Sequence, residues 1–171
     1  MRKSSFWIVL SCSLLTVALA AVAQAVRKPG LWEMTTKMSW QKSPLPPGIT
    51  LPPGANSPFS GQTTTTQVCL TQEMIDKYGA PMPQGKDCQI VNVSLKATGM
   101  TADMVCSGRM NGKGTVESSW SGGDRATGKV HFDGVMQAGP NSMPVEWTSE
   151  STSIFKGSDC GSVKPLPMPA K

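Results

Sequence analysis

The chain has 171 residues, with 16 Lys and Arg set against 11 Asp and Glu for a formal net charge of +5. The basic residues are scattered and no run exceeds a pair, so no field exists to attract a polyanion and nucleic-acid binding is excluded as a function class. A single histidine, with no Gly-x-Ser-x-Gly elbow and no glycine-rich phosphate loop, leaves no hydrolytic triad and no nucleotide-binding motif to build on.

The N-terminus reads as a secretory leader. Met1-Arg2-Lys3 is a short basic region, the stretch from Phe6 to Ala23 is apolar apart from Ser11, Cys12, Ser13 and Thr16, and small residues close it at Ala23-Gln24-Ala25. That order predicts an A-x-A cleavage site, used after Ala25, with Ala23 and Ala20 as alternatives. The rival is an uncleaved membrane anchor, because the apolar run approaches the length that spans a bilayer. A lipid anchor on Cys12 fits less well, since apolar residues continue beyond it. Cleavage leaves residues 26–171, with 14 Lys and Arg against 11 acids and a net charge of +3. That is one domain by size, and it no longer spans a membrane.

From Leu31 to Gln41 large apolar residues alternate with polar ones. Trp32, Met34, Thr36, Met38 and Trp40 fall on one side and Glu33, Thr35, Lys37, Ser39 and Gln41 on the other, the period of a half-buried strand. Residues 43–61 then hold six prolines and three glycines, including two Leu-Pro-Pro-Gly repeats, and predict a long exposed loop. Gln62 to Leu70, with four consecutive threonines, predicts a strand. Thr71 to Tyr78 is the one helical candidate, capped by Thr71, with Glu73 in the first turn and Gly79 to end it.

Five further strands are expected. Cys88 to Lys96 places Val91, Val93 and Leu95 on one face, and Met100 to Cys106 groups Met100, Ala102, Met104 and Cys106, with a hairpin link at Ala97-Thr98-Gly99. Gly112 to Trp120 and Ala126 to Met136 flank the turn Ser121-Gly122-Gly123-Asp124. Met143 to Phe155 supplies the last, with Val145 and Trp147 inward and Glu146 outward. The fold class is therefore all-β, an antiparallel meander curled into a small barrel or sandwich, with one short helix. Gly114, Gly128 and Gly134 inside strands suit the bending that such a sheet needs. The tail 164–171, with three prolines, is expected to be loose.

Four cysteines follow the leader: Cys69, Cys88, Cys106 and Cys160. An even number in an exported chain predicts two disulfides, whereas zinc would call for a C-x-x-C pair that is absent. Of three connectivities, Cys69–Cys88 with Cys106–Cys160 is the expected one. His131 sits opposite Val130 and Phe132 and is expected at the surface, so no catalytic, cofactor-binding or metal-binding residue is assigned, no cofactor is required, and the protein is not expected to be an enzyme. Paired acids for glycoside cleavage find no support in the spacing of the carboxylates.

Ten methionines remain after the leader. Thioether sulfur suits Cu(I), and Met34 with Met38, or Met100 with Met104, share a strand face. However, neighbours on one face lie about 7 Å apart, and methionine is an ordinary core filler. Trp32, Trp40, Trp120 and Trp147 exceed what a minimal core needs, so a sheet lined by Trp, Met and Val is expected to hold an apolar small molecule or lipid.

The opening Pro29-Gly30-Leu31-Trp32-Glu33, the strand end Val68-Cys69-Leu70-Thr71, the cysteines near 88 and 106, and Gly157-Ser158-Asp159-Cys160 together resemble the DUF3617 family of exported bacterial proteins. The resemblance spans nearly all of the chain after the leader and implies a periplasmic setting. It implies no activity and transfers no functional residue, and the 43–61 loop looks like a variable insertion.

Overall fold

The structure, a computed structural model, describes residues 27–44, 61–81 and 87–168. The expected leader, most of the proline-rich loop, residues 82–86 and the last three residues of the tail lie outside these. The elements are β1 (Gly30–Lys42), β2 (Thr63–Leu70), α1 (Gln72–Tyr78), β3 (Cys88–Lys96), β4 (Gly99–Cys106), β5 (Met110–Ser121), β6 (Arg125–Ala138) and β7 (Asn141–Gly157).

The strands form one sheet in the order β2-β1-β7-β6-β5-β4-β3, antiparallel at every step. Strands β3 to β7 are the expected meander. The β1–β2 hairpin joins its far edge by pairing β1 with β7, and β2 and β3 are left as the two edges of an open sheet. Val68 on β2 and Val116 on β5 are four strand spacings apart, about 19 Å if the sheet were flat, yet both line one cavity. The sheet is therefore curled.

Period-two patterning decides the two faces. On the inner face Met100, Ala102, Met104 and Cys106 of β4 are all buried, as are Trp32, Val116, Trp120, Phe132 and Val145 from the other strands. Phe132 is fully buried and stacks on Trp147 at 5.7 Å between ring centroids. Its ring lies over Gly112 and Gly134, where an added Cβ would sit 2.9 and 3.0 Å from it. The two glycines thus vacate the space that the aromatic ring fills.

Helix α1 closes part of the inner face. Thr71 caps it by accepting a hydrogen bond from the Met74 backbone N–H at 3.2 Å, and Gly79 ends it in the left-handed region at φ 69°. Met74 and Ile75 are the buried stripe.

Strand β3 departs from the expected alternation. Asn92 has φ 53°, and the register against β4 shifts between Val91 and Ser94. This bulge leaves Val91 opposite Asp103, a residue of the outer face, whereas Val93 packs on the core. A period-two count cannot see a bulge, so Val91 and Val93 do not share a side.

The disulfides are Cys69–Cys160 and Cys88–Cys106, which corrects the expected pairing. Cys69 and Cys88, neighbours in sequence across the helix, stand on opposite edges of the sheet. Cys88 is instead directly opposite Cys106 in the β3–β4 register. Leu31 of β1 pairs with both Cys69 and Gly157, so the chain leaving β7 needs only a short turn across β1 to bring Cys160 to Cys69. Of the tail expected to be loose, residues 164–168 are described and are tied to the sheet. Pro165 bridges to Cys69, the Leu166 N–H donates to the Cys69 carbonyl at 3.2 Å, and Leu166 and Met168 pack on the core. Among the described residues no helix is long and apolar enough to cross a membrane.

Candidate functional site

The inner face of β7 sets the site. Side chains two apart along a strand share a face, and this strand presents Trp147, Ser149, Ser151, Ser153 and Phe155 in succession. Aromatic rings close both ends, Trp147 on Phe132 and Phe155 edge-on to Trp32 at 5.5 Å. Between them the three serines cover about 14 Å of strand. The flanking strands are also small or slender there: Ser151 stands between Gly128 of β6 and Thr36 of β1, and Ser153 between Ala126 and Met34.

Small residues on adjacent central strands leave a cavity of about 340 Å³, within the range of small-molecule sites at about 300–1,000 Å³. Met34, Val68, Val116 and Val130 form its walls together with Ala80, Pro81 and Leu166. The disulfide Cys69–Cys160 and the Leu166 hydrogen bond to Cys69 tie the segment carrying Leu166 to β2.

The polar groups of the cavity divide into two sets. Ser118 donates to the Thr127 carbonyl at 3.1 Å and Ser151 to the Gly128 carbonyl at 3.5 Å, so both hydroxyl protons are used on backbone beside Gly128. Among the described residues the hydroxyls of Thr36, Ser149 and Ser153 make no hydrogen bond to protein. Each remains able to donate to a guest.

Arg27 completes the lining. It is 3% exposed, its guanidinium lies 4.4 Å from the centroid of the Trp32 ring, and the Trp32 indole N–H donates to the Lys28 carbonyl at 2.9 Å. The Nε of Arg27 is buried without a hydrogen-bond partner. Burial pushes its pKa down to about 10, still far above neutral pH, so the side chain is a cation inside the domain. Glu117 and Lys129 also touch the cavity, but they are exposed and pair across β5 and β6 on the outer face.

The residues weighed from sequence fall elsewhere. His131 lies on the outer face, its side chain 41% exposed, with Nδ1 3.3 Å from the Thr148 hydroxyl. Nearby Lys42 bridges Glu146 at 2.8 Å and Asp133 at 3.3 Å, and these hydrogen bonds, to Glu146 first, raise the pKa of the lysine. Met100 and Met104 are core residues, each 2% exposed. Met34 and Met38 occupy the inner face of β1, half-buried, Met34 as a cavity wall. Sequence reasoning passed over Arg27 and the serine row. The signal for the serines was available: three consecutive inward positions of a long strand, framed by aromatics, all carry hydroxyls.

Fold and site together define a class: a curled antiparallel β domain, tied by two disulfides, that keeps a small-molecule-sized cavity on its inner face. The chain belongs to the DUF3617 family, described as proteins of unknown function, whose model matches residues 27–160. Comparison with curated proteins and with solved structures gives no match.

Proposed function

We propose that the protein is a periplasmic, non-enzymatic binding protein that holds an apolar small molecule or lipid tail in the inner-face cavity. The observation that carries this reading is the row Ser149, Ser151 and Ser153, where a core of this size takes large apolar side chains and this one leaves about 340 Å³ open. The periplasmic address draws on the secretory leader and on two disulfides, which form and persist in oxidising compartments. The reading assigns no catalytic step: the one imidazole, His131, faces away from the cavity.

The test is titration of the purified protein with a fluorescent apolar probe, in wild type and in Ser151→Phe, which fills the cavity from its centre. Wild type binds the probe at micromolar concentration and raises its emission, while S151F keeps its far-ultraviolet circular dichroism and loses binding. Equal binding by a folded S151F places the probe elsewhere and overturns the assignment of the cavity.

A further inference from the structure

The lining of the cavity contains a buried guanidinium with which no carboxylate of the described residues forms an ion pair. We infer that the guest is an anionic amphiphile, a single-chain carboxylate of medium length, whose head pairs with Arg27 while its tail lies along the serine row between Trp32 and Trp147. The inference rests on the binding reading above and adds the chemical class of the ligand.

Three observations converge on it. First, Arg27 is 3% exposed, its Nε has no hydrogen-bond partner, and among the described residues no Asp or Glu forms an ion pair with it. A buried cation is costly unless it is paired and hydrogen-bonded. The Trp32 ring at 4.4 Å offsets part of that cost through its negative face, but it accepts none of the N–H bonds in the guanidinium plane. A guanidinium carries its N–H donors in a rigid planar fork, which suits a planar bidentate acceptor. A carboxylate is the group that matches this fork.

Second, the charge stands at one end of an otherwise uncharged inner surface. Met34, Val68, Val116, Val130 and Leu166 offer apolar contact, and the carboxylates and ammonium groups that touch the cavity, Glu117 and Lys129, belong to the outer face. A guest with one charged end and an apolar body fits this division. A zwitterion or a cation does not.

Third, size limits the tail. A volume of about 340 Å³ lies at the lower end of the ~300–1,000 Å³ of small-molecule sites, which suits a single medium-length chain better than a diacyl lipid.

The experiment compares four ligands with the same ten-carbon tail, decanoate, decyl phosphate, decanol and decyltrimethylammonium, by calorimetry on wild type, Arg27→Met and Arg27→Lys. Wild type is expected to bind decanoate roughly ten- to a hundredfold more tightly than decanol, the worth of a charge-assisted pair, and to reject the ammonium. In R27M the decanoate-to-decanol ratio falls to within about threefold of one; in R27K part of the preference returns.

Equal binding of decanoate and decanol by wild type overturns the anionic assignment while the cavity reading stands. Failure of all four ligands overturns the cavity reading itself. Preference for decyl phosphate over decanoate overturns the carboxylate assignment. If R27M does not fold, the decanoate-to-decanol ratio of wild type decides alone, and a ratio below about threefold refutes the inference.

Discussion

The two disulfides close loops of very different length, and their removal should not cost the same. Cys69–Cys160 spans 91 residues and Cys88–Cys106 spans 18; in the chain-entropy relation these correspond to about 4.6 and about 3.2 kcal/mol of lost unfolded-state freedom at 25 °C. The short loop is nested inside the long one, and with the inner bridge intact the outer value drops by only about 0.2 kcal/mol. Replacing both partners by alanine, Cys69→Ala/Cys160→Ala in one protein and Cys88→Ala/Cys106→Ala in the other, avoids leaving an orphan thiol. Urea unfolding followed by tryptophan emission is the assay. With a slope of about 2 kcal/mol per molar, the outer-bridge variant should unfold at a midpoint about 0.6–0.7 M below the inner-bridge variant. Equal midpoints, or a lower one for the inner-bridge variant, would refute the reasoning and place the weight of stabilisation in the β3–β4 hairpin.

Two smaller predictions concern the packed end of the inner face. Phe132→Ala removes a fully buried ring and should cost about 3–5 kcal/mol in the same urea assay. Gly112→Val puts a Cβ 2.3 Å from the Asp133 carbonyl oxygen and 2.6 Å from the Gly134 Cα, contacts with backbone that cannot rotate away, whereas Gly157→Ala meets nothing within 4 Å. The first should abolish recovery of soluble folded protein and the second should leave the unfolding midpoint unchanged; a folded G112V would mean that the sheet is more open there than described.

Much of the fold was legible because its signals are local. Alternation placed β1 and β4 within a residue or two, Thr71 and Gly79 marked both ends of α1, and Ser121-Gly122-Gly123-Asp124 marked the β5–β6 turn. What escaped depends on residues far apart in sequence. The pairing of Cys69 with Cys160 follows from β1 lying between β2 and β7, and no local pattern states that order. The bulge at Asn92 is a single left-handed residue that shifts Val91 outward. The site was harder still. A serine at one inward position reads as ordinary surface chemistry, and only the register, with Gly128 and Thr36 on either side of Ser151, shows that three strands are small at the same level. Arg27 beside Lys28 reads as a solvated pair until its ring contact with Trp32 turns it inward.

The place of β1 between β2 and β7 also dictates an order of assembly. As the polypeptide emerges from its N-terminal end, the β1–β2 ribbon has one hydrogen-bonding edge satisfied and the other bare, and its Trp and Met side chains uncovered, until the final strand arrives. Exposed edges of this kind recruit neighbouring chains, and pairings so distant along the chain form slowly. A nascent molecule therefore needs shelter through most of its delivery, and a truncation that deletes β7 would strand the first ribbon rather than merely trim the last.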